Sequence, residues 1–219
     1  MQEYQITISR TARYYLVKNE DTPVSELWIV LHGYGQLARF FLQHFEPLLR
    51  PGVCIVAPEA LSRFYIQHDK KRIGASWMTS EFRDQEISDY INYISQVYQD
   101  VCNTQKIYNH KLIVFGFSQG VATLFRWLTN SGIQADTVVA WAGTIPPEII
   151  SAPNLLRHAQ KKLFTVFGNH DAIVTTEHKN QTIDCLHALQ IPFRTFTFSG
   201  GHSLDENTLL TLANEIRNQ

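Results

Sequence analysis

Neither sign of charge dominates this 219-residue chain: 19 Lys and Arg stand against 20 Asp and Glu, for a net charge of −1. Such a balance supplies no electrostatic footprint for nucleic acid or for an anionic membrane surface. The one basic run, Lys70-Lys71-Arg72, reads as a solvated loop. Cysteine is scarce. Cys54, Cys102 and Cys185 are odd in number and irregularly spaced, which suits neither a disulfide framework nor a zinc site, and points to a reducing, cytoplasmic setting. Cys54 lies in an apolar run and reads as a small buried hydrophobe. No apolar stretch reaches the roughly 18 residues of a membrane helix, and Met1-Gln2-Glu3-Tyr4-Gln5 lacks the basic-then-apolar pattern of a signal peptide. No Gly/Ser/Pro-rich linker divides the chain, so residues 1–219 are expected to form a single domain without stable membrane association. An aromatic content of 12% excludes a disordered tail.

What the chain does have is short apolar runs alternating with helical patterns. Leu27–Leu31, Val53–Ala57, Leu112–Phe115, Val138–Ala142 and Leu163–Phe167 are nearly all apolar, as strands buried on both faces of a parallel sheet must be. Tyr4–Ser9 and Arg13–Lys18 alternate and are expected as antiparallel strands at one edge. Phe193–Phe198 is expected near the other. Ile87, Tyr90, Ile91, Ile94, Val97, Tyr98 and Val101 recur at three- and four-residue steps on one helical face, with Ser80 placed to cap the start. Further helices are expected over Leu37–Leu49, Gln119–Asn130 (stopped by Gly132), Thr175–Leu189 and Ser203–Arg217. This alternation predicts an α/β domain with a mainly parallel sheet flanked by helices.

The chemistry centres on Gly116-Phe117-Ser118-Gln119-Gly120, which joins the buried run 112–115 to the helix starting at Gln119. A serine on a tight strand-to-helix turn presents its hydroxyl above the sheet, beside the positive end of the helix, where an oxyanion would develop. The competing reading is a structural turn in which Ser118 only caps the helix. A nucleophilic serine needs a base and an orienting acid, in the order Ser, acid, His for this architecture. Of Asp136, Glu148, Asp171, Glu177 and Asp184, only Asp171 directly follows a buried strand. Asp136 precedes its strand and falls at the opposite end, Glu148 reads as a surface residue, and Glu177 and Asp184 lie in a helix. His202, in Gly200-Gly201-His202-Ser203 after the last strand, is the candidate base. His170 adjoins the acid, His158, His178 and His187 fall in helical stretches, and His44, His68 and His110 break the order. Two amides are expected to form the oxyanion hole: Gln119 N–H, and Tyr34 N–H in His32-Gly33-Tyr34-Gly35-Gln36. His32 reads as a buried brace for that loop.

The pieces His32-Gly33-Tyr34-Gly35, Gly116-Phe117-Ser118-Gln119-Gly120, Gly168-Asn169-His170-Asp171 with Val174, and Gly201-His202 resemble the phospholipase/carboxylesterase branch of the α/β-hydrolases. That group includes bacterial carboxylesterases and acyl-protein thioesterases. They occur in the family's order and span most of the chain; Ala142-Gly143-Thr144-Ile145-Pro146 resembles its small-residue turn. Gln36 departs from the pattern, standing where many members have an aspartate. The resemblance implies hydrolysis of esters or thioesters without metal or cofactor, through an acyl-serine. A carboxylesterase for small to medium acyl esters is the first expectation. An acyl-protein thioesterase or lysophospholipase is the alternative, and a non-catalytic binding protein on the same fold is a third reading. Phe64, Tyr65, Trp77 and Met78, with Ile173, are expected to line an acyl or aryl pocket or, equally, to pack their loop onto the body. The chain is too short for a large helical cap, so the site is expected to be open. Either a monomer or a homodimer fits.

Overall fold

The computed structural model describes residues 1–19, 22–66, 72–154, 156 and 160–218; Lys70 and Lys71 of the basic run, His68 and His158 lie outside the described residues. Seven strands form the main sheet: β1 (Tyr14–Lys18), β2 (Glu26–Leu31), β3 (Val53–Pro58), β6 (Lys111–Phe117), β7 (Ala135–Trp141), β8 (Gln160–Gly168) and β9 (Arg194–Phe198). Their order is β1-β3-β2-β6-β7-β8-β9. Only β1 runs antiparallel, against β3; every other pairing is parallel. Side chains alternate between faces along a strand, so each central strand feeds two cores. Leu27, Ile29 and Leu31 of β2 join one core with α2 (Arg83–Thr104), α3 (Gln119–Ser131) and α5 (Thr176–Ala188). Trp28 and Val30 join the other with α1 (Ala38–Gln43) and α6 (Glu206–Arg217). Burial on both faces is the physical reason these strands read as unbroken apolar runs. Each fully buried Leu, Val or Phe contributes roughly 1.5–3 kcal/mol.

Four of the five expected helices form with adjusted ends. On α2, Tyr90, Ile94, Val97 and Val101 make the buried stripe, as the spacing requires. Its start differs from expectation, because Ser80 does not cap it. Phe82 occupies the cap position in the left-handed region (φ 57°), and Glu86 reaches back to Thr79. Leu37–Leu49 is not one helix: α1 ends at Gln43 and a 3₁₀ turn spans Glu46–Leu48, where Pro47 lacks the N–H an α-helical ladder would use. Gly132 stops α3 at φ 72°, and Thr175 and Asp205 cap α5 and α6 with their side chains.

Two strand expectations change. Tyr4–Ser9 forms no strand, and Tyr4, Ile6 and Ile8 are exposed. The alternation is there, but neither of its faces is covered, and strand propensity is realised only on a surface that packs. Conversely, the stretch expected as a loop after β3 contains a hairpin, β4 (Ser62–Tyr65) and β5 (Ile73–Ser76), paired antiparallel. An isolated bridge between Gln36 and Ala75 fastens it to the loop after β2. Gly74 permits the contact, since a Cβ there would collide with the Gly35 backbone. Between β7 and β8 the chain spans residues 142–159 and includes the short helix α4 (Pro147–Ile150). That leaves no space for a cap.

Candidate active site

Four loops leave the carboxyl ends of parallel strands and meet at one sheet edge, where open α/β sheets place ligands. After β6 the chain turns at Ser118 with φ 54° and ψ −117°, a conformation rarely adopted by a residue with a side chain. Tight packing enforces the turn. A Cβ on Gly116 would strike the Gly120 backbone, and one on Gly120 would strike Leu31 O. Ser118 N–H donates to Trp141 O at 2.9 Å, which locks the turn to β7.

The loops after β8 and β9 are knitted together before either presents a side chain. Asn169 N–H donates to Phe198 O and His170 N–H to Gly200 O, each at 2.9 Å. The Trp141 indole donates to Ser203 O at 2.9 Å, fixing the far side of His202. Asp171 and His202 therefore meet: His202 Nδ1 and Asp171 Oδ2 are 2.8 Å apart, and His202 Nε2 and Ser118 Oγ are also 2.8 Å apart. The other carboxylate oxygen, Asp171 Oδ1, accepts Ile173 N–H and Val174 N–H at 2.8 Å each. With Asp171 accepting from Nδ1–H, the free lone pair of the imidazole lies at Nε2, facing the serine hydroxyl. The Phe117 ring lies 5.0 Å from the imidazole.

The loop 32–36 closes the site from β2. His32 is fully buried; its Nε2 accepts Ala60 N–H at 3.1 Å, so Nδ1–H donates to Gly33 O at 2.8 Å. Burial lowers its pKa to about 4, which keeps the ring neutral, as a brace must be. The amides of the loop can be followed one by one. Gly33 N–H goes to Gln36 Oε1 (2.7 Å), Gly35 N–H to Ala75 O (2.9 Å) and Gln36 N–H to Gly33 O (3.2 Å). Among the described residues Tyr34 N–H has no such partner. Gly33 packs directly against Ser118, so the unassigned amide adjoins the serine. Gln119 N–H, at the first helical position of α3, also needs no partner within the helix.

Of the residues expected to line a pocket, Tyr65 and Ile173 are exposed, and Phe64 stacks against the exposed Tyr34 with ring centres 5.1 Å apart. Trp77 is different. It is 1% exposed, its indole donates to His32 O at 2.8 Å, and it contacts Tyr90, so the packing reading describes it. Met78 is half-buried, with its sulfur 3.4 Å from Arg126 Nη1. Asp136 lies at the other end of the sheet, accepting Leu112 N–H and pairing with Lys161. Glu148 binds Arg126 and Arg83, while His178 and His187 are exposed on α5. Sequence reasoning missed the side chains of Gln36, Gln119 and Trp141. The Gln119 amide accepts Trp77 N–H (3.1 Å) and donates to Met78 O (2.9 Å) and Ser76 Oγ (3.1 Å). Among the described residues, no three His, Cys, Asp or Glu gather as a metal ion would require, and no helix is long and apolar enough to cross a membrane. Burial raises the Cys54 thiol to about 12, so it behaves as the buried hydrophobe its sequence context suggests.

Sheet order and loop placement together define an α/β-hydrolase fold. The phospholipase/carboxylesterase family model matches residues 12–219, and the chain belongs to that family. Among solved structures, maize (Zea mays) acyl-protein thioesterase 2 is similar at a TM-score of 0.69 and 18% identity, covering 95% of this chain and 99% of that one. Esterase PE8 is similar at 0.68 and 20% identity, covering 95% and 99%. A phospholipase/carboxylesterase from Dyadobacter fermentans is similar at 0.64 and 16% identity, covering 96% and 99%. Curated protein sequences give no significant match.

Proposed function

We propose that the protein is a serine hydrolase, a carboxylesterase that cleaves small to medium acyl esters through an acyl-serine intermediate. The observation that carries this reading is the pair of 2.8 Å contacts joining Ser118, His202 and Asp171 in one line. Ser118 Oγ attacks the ester carbonyl while His202 Nε2 takes its proton. The tetrahedral oxyanion is received by Tyr34 N–H and Gln119 N–H, and collapse breaks the C–O bond as His202 returns the proton to the leaving alcohol. Water, deprotonated by His202, then releases the acid and restores Ser118. Asp171 holds the tautomer and stabilises the imidazolium. The step needs the Nε2 lone pair of His202 free to accept the serine proton.

Phe64, Tyr65 and Ile173 are read as the rim that meets the acyl or alcohol portion, with Trp77 and Met78 supporting them from behind. Residues 1–219 are read as one hydrolase domain, monomeric or homodimeric. Family membership and the likeness to a maize acyl-protein thioesterase support a thioesterase as the second reading. A fluorophosphonate probe tests the enzyme itself. Labelling at Ser118 that is abolished by Ser118→Ala is expected, and an unlabelled wild type, or esterase turnover retained in Ser118→Ala, overturns it. A nitrophenyl-ester chain-length series beside an S-acylated peptide ranks the two readings, since efficient deacylation of the peptide puts the thioesterase first.

A further inference from the structure

No charged cluster beyond Lys70-Lys71-Arg72 is visible in the sequence, yet the fold builds one. Four of the chain's eleven arginines, Arg13, Arg39, Arg63 and Arg72, come from separate segments and line one cavity of about 790 Å³ behind the loop 35–37. His44 adds an imidazole and Gln36 an amide, and none of the described lining residues is acidic. Arg13 and Arg63 share the buried carboxylate of Glu59, at 2.6 and 3.6 Å, and one carboxylate cannot neutralise both. The Arg39 guanidinium lies over the Phe40 ring at 4.5 Å. Among the described residues no carboxylate pairs with Arg39 or Arg72. Phe40 and Ile73 give the same cavity an apolar wall.

A chain with a net charge of −1 that gathers four guanidiniums around one concavity concentrates positive potential there. The guanidinium fork matches phosphate oxygens two at a time, and a volume between roughly 300 and 1,000 Å³ suits a small molecule better than a polymer or a bilayer. We propose that this cavity binds a small organic phosphate, with the phosphate among the arginines and the carbon portion against Phe40 and Ile73. Neither Ser118 nor His202 lines this cavity, although Gln36 borders both the cavity and the active site, and occupancy of the cavity does not depend on the hydrolase reading.

Isothermal titration with phenyl phosphate, inorganic phosphate and citrate, in low-salt buffer, tests this on the full chain. Phenyl phosphate is expected to bind saturably and about tenfold more tightly than inorganic phosphate, because only it reaches the apolar wall; tenfold corresponds to about 1.4 kcal/mol. Arg39→Gln with Arg72→Gln is expected to weaken phenyl phosphate at least about tenfold with an unchanged melting temperature, since both side chains are exposed. Ser118→Ala is expected to bind it as wild type does, which keeps this result separate from the fluorophosphonate test. The proposal is overturned by an absence of saturable binding at millimolar concentrations, by undiminished binding in the double variant, by loss of binding in Ser118→Ala, or by citrate binding where neither phosphate binds.

Discussion

Asp171 divides its carboxylate between two tasks: Oδ1 holds the backbone of its own loop and Oδ2 holds the imidazole. Asp171→Asn preserves the first task if the amide oxygen keeps the Oδ1 position. Its NH₂ then faces Nδ1 and forces the proton to Nε2, where the ring can no longer accept from Ser118. The expected outcome is a fall in kcat of about 10⁴-fold with an intact fold, the magnitude of the same swap in serine proteases; steady-state kinetics with circular dichroism would check it. Asp136→Asn, at the opposite sheet end, is expected to leave kcat unchanged, and the reverse pattern would show that the acid is misassigned. Gln36 makes a second case at this scale. It departs from the aspartate common in the family, yet its side chain fixes the Gly33 amide and thereby the orientation of the Tyr34 peptide. Gln36→Ala is expected to lower kcat about 10- to 100-fold, somewhat less than outright removal of an oxyanion donor. KM should change little, and Gln36→Glu, which keeps the acceptor, should recover most of the loss. An equal rise in KM would mean that Gln36 shapes ground-state binding instead.

Among the elements, the strap formed by β5 and the residues that follow it joins the two halves of the proposed oxyanion hole. Ala75 holds the loop after β2, while Trp77 and Met78 hold the Gln119 amide at the start of α3. Removing the Gln119 side chain severs three hydrogen bonds at once. At a net value of about 1 kcal/mol each, Gln119→Ala is expected to destabilise the fold by roughly 2–3 kcal/mol and to expose the strap to limited proteolysis. An unchanged melting temperature together with an uncut strap would show that β5 is anchored by its other contacts alone. None of this could be read from the sequence, because Gln119 and Trp77 lie far apart in the chain and neither carries a periodic signal. The strands and α2 were legible because burial on one or two faces imposes its period directly on residue choice. The meeting of Ser118, Asp171 and His202 at one sheet edge was legible because Ser118 and Asp171 each follow a buried strand and His202 follows the alternating edge strand, in a fixed order. The hairpin β4–β5 was not, since four-residue strands containing Gly74, Arg63 and two serines carry no clear alternation. At Tyr4–Ser9 the alternation misled, because period alone does not supply a surface to pack on. The arginine cavity was hidden for a related reason: its members are spaced far apart along the chain and converge only in the fold.

Across the whole molecule, acid stability follows from buried groups whose proton affinities differ between folded and unfolded chains. Burial holds His32 near pKa 4 in the fold, against 6.5 when unfolded. Between these values the unfolded chain binds a proton that the folded chain refuses, so stability rises with pH across this window and is lost as pH falls through it. The full difference amounts to on the order of 3 kcal/mol and is exhausted below about pH 4, where both states are protonated. Asp136 and Glu148 act later. Despite desolvation, which opposes it, their hydrogen bonds and ion pairs hold both below their ordinary values, so their contributions are lost only as pH falls below about 4. Acid unfolding should therefore proceed in two ranges, a histidine range followed by a carboxylate range. Urea melts at intervals from pH 7 to 4 provide the measurement. His32→Gln cannot be protonated in either state, so over that range its unfolding free energy should fall by on the order of 3 kcal/mol less than that of the wild type, a smaller slope remaining from His110, whose affinity for a proton burial also lowers. Parallel slopes in the two proteins would mean that His32 is not the group that makes this fold acid-sensitive.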